Sequence, residues 1–376
     1  ALFSGSVQDT SWREEFATLR DDMHALNEQL FAERDERRRA NAFIDERLYS
    51  AEACLSNLAR LCHHGHLSLE AHLDTVREML ASLGEAHSAW NTAQLLQRDG
   101  INACFIDLTA WQSEEHVPLD ERIRVAMADV DVSTTMPIVT GYAHSDDGLM
   151  ASFDRGYSEM TFSRLAVITG AREAVVHKEF HLSSADPKIV GEANVVPIGR
   201  TNYDVADQLA NLGMEAIHPK AAKGLRQSDI PLRVKNTFEP EHTGTLITTD
   251  YVSAKPCVEI IAGCRGVYAL EVFDQEMAGQ TGGEPPAGPG GVPGGESSTG
   301  GGAGKPPRHD QEVLGIIRRF RANIVAKDMN ANTITHYLTC NLKTVKRIRR
   351  ELEALFPSAE IDQQRVALVS AIGSDM

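Results

Sequence analysis

In the stretch SFDRGYSEMTFSRLAVITGAREAVVHKEFHLSSADPK, residues 152–188, the groups that could do chemistry come in a telling order. Arg155 offers a planar fork suited to a carboxylate or a phosphate. Gly156 lets backbone approach a ligand closely. Ser158 and Glu159 open a helical run whose unpaired N–H groups point at any anion placed there. The apolar strand EAVVHKEF then ends on Lys178 and Glu179, and an Asp186–Pro187 turn is followed by Lys188. Together these form the inventory of a phosphoryl-transfer site: an anion-binding helix start, with cations and carboxylates at strand ends. Taken alone, an Arg-Gly turn with Ser and a first-turn Glu serves equally as ordinary helix capping, so the surrounding elements decide.

After Gly100 the runs NACFIDLT, MPIVTGYA, EAVVHKEF and IPLRVKNTF read as buried strands. Helices are expected at about Glu159–Gly170, Tyr203–Leu212 and Lys220–Gln227 between several of them. Alternating strands and helices imply a mostly parallel sheet covered on both faces, with ligands beyond the carboxyl ends of the strands. Before Gly100 the pattern is helical. From Ser11 to about Leu48, Trp12, Phe16, Leu19, Met23, Leu26 and Leu30 make one apolar stripe, and Ser11 with Glu14 makes a capping box. That stripe is expected to pack on its own domain rather than form a coiled coil, because too few heptads are sustained. Helices follow at Ala51–Leu61 and Leu69–Leu83, separated by CHHGH, whose ligands are too close together for one tetrahedral zinc.

Residues 279–307 are mostly Gly, Pro and Ser with almost no apolar side chains, and read as a flexible linker. Around it lie pieces of a small α/β unit: CVEIIAG, GVYALEVFD, a helix near Gln311–Phe320, NIVAKD, TITHYLT, a helix near Leu342–Leu355, and QQRVALVSAIG. The likeness of CVEIIAG to VALVSAIG hints at two tandem copies.

The chain has 376 residues, enough for two or three domains. A net charge of -16 would repel a phosphate backbone, which argues against nucleic acid as a partner. Six scattered cysteines without CxxC spacing and no secretory segment point to reduced thiols and a cytoplasmic protein. No apolar run approaches the ~18 residues of a membrane span.

In order along the chain, DRGYSE, HKEF, SADPK, MEAIHP and IPLRVKNTF resemble the aspartate kinases of the amino acid kinase fold. That family carries GRGGSD, a strand ending TD, DPR, KVLHP and a PLRV strand. LGEAHSA resembles the family's GE-x-LSA segment and MPIVTGYAHSDDG its PVVAGF strand. The pieces after residue 247 resemble ACT regulatory domains. The likeness runs from about Leu48 to Met376, and RGYSEMTFS with HKEFHLSSADPK is most similar to the aspartate kinases found with ectoine biosynthesis.

This resemblance implies an amino acid kinase domain over residues 1–247 and an ACT-like βαββαβ regulatory region over 248–376, interrupted by the linker. It implies ATP-dependent phosphorylation of the L-aspartate β-carboxylate with Mg2+, feeding lysine, threonine and ectoine biosynthesis. Arg155 would grip a substrate carboxylate and Glu85 its ammonium group. Gly156 and Ser158 would line the phosphoryl path, and Glu159 would stand where the family has its catalytic Asp. Lys178, Glu179, Asp186 and Lys188 would hold ATP, while His218 and Pro219 would be mainly structural. An amino-acid effector at the ACT-like region and a homodimer are expected by the same analogy.

The sequence departs from the family in places. No KFGGTS segment is found, so the chain is expected to begin within the first lobe and to be cut at both ends. Tyr157 replaces a Gly, Glu159 an Asp and Glu215 a Lys. The alternative reading is a catalytically impaired fragment that binds amino acids or assembles through its ACT-like part.

Overall fold

The apolar stripe of the first helix closes on the next two. A computed structural model describes residues 11–63, 72–111, 116–146, 156–212, 217–275, 308–330 and 332–373. Helix α1 (Ser11–Leu30) stops short of the expected Leu48, and α2 (Arg34–His63) starts after a break at Phe31–Glu33. The break lets Trp12 and Phe16 pack with Ile44, Leu48 and Leu55 of α2 and with Val76 and Leu83 of α3 (Leu73–Arg98). The stripe is thus buried mainly within the chain, as a helix packed on its own domain; Leu26 alone of its members is exposed, at 43%. A polar seam crosses the same helices: Asn27 Oδ1 accepts from Asn91 Nδ2 at 2.8 Å, and Asn27 Nδ2 donates to Asn41 Oδ1 at 2.9 Å.

Strands β1 (Ala103–Ile106) and β2 (Met136–Val139) pair in parallel, with α4 (Leu119–Met127) between them in sequence. Leu108, Ile123 and Ala143 form the core below this pair. Helix α5 (Tyr157–Thr169) leads to β3 (Ala174–Lys178), a short α6 (Pro187–Val190) and β4 (Arg200–Asn202). Next come α7 (Tyr203–Asn211), α8 (Pro219–Gln227), β5 (Leu232–Asn236) and β6 (Thr245–Thr248). These strands make a sheet of order β3-β5-β6-β4, with β4 and β6 parallel.

The last part is a second sheet. Strand β7 (Ile260–Phe273) is followed by α9 (Arg308–Arg319), β8 (Asn323–Met329), β9 (Thr333–Thr339), α10 (Leu342–Leu355) and β10 (Glu360–Ile372). The order β10-β7-β9-β8, with every neighbour antiparallel, is that of one βαββαβ unit. Leu270, Val272, Val313, Ile317, Ile348 and Leu352 fill its core between sheet and helices. CVEIIAG and GVYALEVFD, expected as two strands, prove to lie on one. The chain stays extended across Gly266, whose φ of 75° accommodates a bulge opposite the register shift between Val366 and Leu368. The two similar runs are therefore not matching strands of tandem copies. They pair with each other, Ile260 against Ile372 and Ala262 against Ser370. The expected linker lies outside the described residues.

Two compact units result: Ala1–Val176 with Ile217–Arg233, and His177–Ala216 with Val234–Met376. The chain leaves the first unit within β3, returns to it between residues 216 and 217, and leaves it again within β5.

Candidate active site

In the first unit the chemistry gathers at the start of α5. Gly156 is its N-cap, with φ 82° and ψ 13°. A side chain here would be strained in the left-handed region, and a Cβ would lie 2.9–3.0 Å from the His218 ring and Cβ. Glycine is thus required by conformation and by packing at once. Ser158 Oγ donates to Glu85 Oε1 at 2.9 Å, tying the first turn of α5 to the middle of α3. Glu159 Oε2 accepts from the backbone N–H of His218 at 2.5 Å. His218 in turn caps α8: its Nδ1 accepts from Lys220 N at 3.3 Å, and Pro219 takes the first helical position.

Several supports hold this arrangement. Arg164 clamps Asp120 through two parallel bonds of 2.7 and 2.6 Å, fixing α5 to α4 and holding the Asp120 carboxyl below the usual carboxylate range. Ser163 Oγ donates to Ala221 O at 2.7 Å, where Gly224 leaves room for α8 to approach. Tyr157, which stands where the family has Gly, packs against the Leu108, Ile123 and Ala143 core, its ring edge-on to Tyr142 at 5.9 Å. Burial, and then the charge of Glu85, push its phenol pKa up. Tyr142 OH donates to Glu78 Oε2 at 3.0 Å, and burial keeps that phenol protonated. The substituted side chain is therefore an anchor for the helix start.

In the second unit a cavity of about 540 Å3 opens beside the end of β3. Glu179, Phe180, His181, Glu192, Phe238 and Glu239 are among its walls. His181 Nε2 lies 3.1 Å from Glu239 Oε2, and the His181 and His242 ring centroids are 4.1 Å apart with the rings tilted by 52°. His181, followed by the more distant His242, holds the Glu239 carboxyl below its ordinary pKa. Asn236 Oδ1 accepts from Phe238 N at 3.0 Å, a local turn that leaves Phe238 75% exposed at the cavity rim.

The structure brings Glu85 together with Ser158, and Gly156 and Glu159 with His218. Glu179 lines the cavity. Asp186 caps α6, its Oδ1 accepting from Lys188 N at 2.8 Å, and Lys188 Nζ rests 5.5 Å above the Phe180 ring. The Lys178 carbonyl accepts from the N–H and hydroxyl of Thr237 at 2.8 and 3.1 Å. Arg155 and Glu215 lie outside the described residues. Sequence reasoning missed Gly141, where a Cβ would stand 2.6 Å from Glu85 Oε2 and 3.1 Å from Ser158 Oγ. Its signal was the Gly-Tyr pair at the end of the β2 run. It also missed Phe238, His181 and His242, which meet only through long-range folding.

Residues 27–236, more than half of the chain, match the family model described as the amino acid kinase family. Aspartate kinase Ask_Ect of Stutzerimonas stutzeri is 48% identical over 374 residues, all of this chain and 73% of that one. The chain belongs to the aspartate kinases of the amino acid kinase family. Chloroplastic aspartokinase 1 of Arabidopsis thaliana is 32% identical over 150 residues, 39% of this chain and 26% of that one. Among solved structures, E. coli aspartokinase III in complex with lysine and aspartate matches with a TM-score of 0.63 at 18% identity. That match covers 97% of this chain and 75% of the other. At this identity the likeness is one of fold. It accords with an α/β aspartate kinase architecture of parallel strands between helices followed by a βαββαβ unit. Among the described residues no helix is long and apolar enough to cross a membrane.

Proposed function

We propose that this aspartate kinase transfers the γ-phosphoryl group of ATP to the β-carboxylate of L-aspartate, giving ADP and 4-phospho-L-aspartate. This is the entry step of aspartate-family amino-acid biosynthesis and, as in the ectoine-linked kinases it resembles, of ectoine supply. The observation that carries the reading is the Glu85–Ser158 bond packed against Gly141 at the start of α5. It couples a carboxylate suited to a substrate ammonium with a hydroxyl and a helix N-terminus suited to an anion.

The chemistry needs little more. A β-carboxylate with a pKa of about 3.9 is already ionised at neutral pH, so no general base is required. The obstacle is repulsion between two anions, and positioning plus fixed positive potential must overcome it. Arg155 holds the substrate carboxylate, Glu85 its ammonium, and Ser158 and the α5 N-terminus the transferring group. Glu159, anchored on the His218 N–H, holds the α8 start in register with that helix end.

The 540 Å3 cavity suits a nucleoside: Phe238 and Phe180 offer aromatic faces, and Glu179 and Glu192 offer acceptors for hydroxyls. Lys188, resting on Phe180, is within reach of a polyphosphate leaving that cavity. Mg2+ is held mainly by substrate phosphates with one or two carboxylates, so the donor set here fits it without a dedicated cage. When bound it would neutralise charge developing on the phosphates. Residues 1–247 serve as the catalytic domain, and 248–376 as an ACT-like regulatory region taking an amino-acid effector in a cytoplasmic homodimer. Arg155→Ala and Glu85→Gln should each raise the KM for aspartate and leave that for ATP unchanged. Unaltered aspartate saturation in both would refute the assignment.

A further inference from the structure

A polar cleft of about 240 Å3 lies in the first unit among the break after α1, the start of α2 and the end of α3. Glu36 and Arg39 of α2, Trp90, Gln94 and Arg98 of α3 and the buried Phe31 line it. Glu36 is half-buried, and among the described residues its buried Oε2 has no hydrogen-bond partner. A buried acceptor left unmade costs about 1–3 kcal/mol, more when charged, so this oxygen favours a ligand that brings a donor, and a cationic one most. Arg39 is one turn further along the same helix and exposed, and among the described residues it makes no ion pair. Arg98 is already anchored, donating to Leu30 O at 3.3 Å and to Asp99 Oδ1 at 3.1 Å. The Trp90 wall is rigid: its ring stacks on Phe43 at 5.0 Å and 15°, and Phe43 lies under the Arg47 guanidinium at 4.7 Å.

We infer that this cleft binds a small zwitterionic α-amino acid, its ammonium on Glu36 and its carboxylate on Arg39. Side chains three apart on a helix stand about 5–6 Å apart at Cβ, a spacing that brackets two opposite charges carried on one carbon. The limited volume and polar lining favour a short side chain lying along Trp90. Helix α3 carries both this wall and Glu85. Trp90 is five residues on, about 7.5 Å along the axis, so occupancy of the cleft bears on the site at Glu85 through one rigid element.

Equilibrium dialysis of the whole protein against radiolabelled glycine, L-alanine, L-serine, L-threonine and L-lysine tests this, with methylamine and acetate as competitors carrying one charge each. At least one amino acid should bind saturably, about tenfold or more weakly in Glu36→Gln and in Arg39→Gln, and neither half-probe should displace it. Arg39 is exposed, so its variant stays folded and a loss of binding there cannot be unfolding. Three results would overturn the inference: no saturable binding of any amino acid, binding undiminished in both variants, or displacement by acetate alone, which would mark a simple anion site.

Discussion

Replacing Gly141 by Ala adds one methyl group where the site has no room for it. That carbon would stand 2.6 Å from Glu85 Oε2 and 3.1 Å from both Cβ and Oγ of Ser158, so the carboxylate and the hydroxyl must part. The bond at stake is the 2.9 Å contact from Ser158 to Glu85. A hydrogen bond to a charged acceptor is worth about 1.5–3 kcal/mol. Its loss at a substrate-holding carboxylate corresponds to about a 10- to 150-fold fall in kcat/KM for aspartate. Initial rates of ADP release, with aspartate varied at saturating ATP and then the reverse, read this directly. The aspartate KM should rise and the ATP KM should hold. Gly84→Ala is the control: it neighbours Glu85 on α3, but its Cβ would meet nothing within 4 Å. It should leave both KM values alone and stabilise the helix by up to about 1 kcal/mol. Wild-type kinetics in Gly141→Ala, or an equal defect in Gly84→Ala, would refute the steric argument.

Gly156→Ala should lower the urea midpoint and kcat together, since a left-handed non-glycine residue costs about 1–2 kcal/mol before the clash with His218 is added; a wild-type midpoint would contradict this. Phe238→Ala should raise the ATP KM roughly 5- to 150-fold, because aromatic–base stacking is worth about 1–3 kcal/mol. Its unfolding curve should hardly move, because the ring is 75% exposed. His336 is fully buried, with Asp310 Oδ1 3.6 Å away and Lys327 Nζ 2.6 Å from that same oxygen. Burial lowers its pKa from 6.5 to about 4, against the pull of Asp310. Between those values the unfolded imidazole holds a proton that the folded one does not. Stability of the βαββαβ unit should therefore fall by about 3 kcal/mol as pH drops from 6.5 to 4. Denaturant melts at stepped pH should show this slope in the wild type and a flatter one in His336→Gln.

Many strands and helices after Gly100 were legible because each carries its own periodicity and punctuation, such as the Gly170 stop of α5. Helix α4 and strands β4 and β6 were not, the two strands being only three and four residues long, and the Asp186–Pro187 turn proves to open the short α6. Ser158, Glu159 and Gly156 were legible because helix-start chemistry is local. The break between α1 and α2 was not, since the apolar spacing runs on through Leu30 and only packing against α3 reveals the reversal. The merging of two runs into β7 was hidden for a similar reason: Gly266 reads as a turn residue until a partner strand supplies the bulge. Gly141 and the His181–Glu239–His242 group depend on contacts between residues far apart in sequence, to which no local pattern points.

The most direct measurement is trapping of the acyl phosphate. The protein is incubated with L-aspartate, ATP, Mg2+ and hydroxylamine, and aspartyl hydroxamate is quantified beside stoichiometric ADP. Hydroxamate that requires both substrates, and is diminished in Gly141→Ala but not in Gly84→Ala, is the predicted result. A folded protein that forms none, or forms it equally in all three, would contradict the assignment of phosphoryl transfer to the Glu85–Ser158 site.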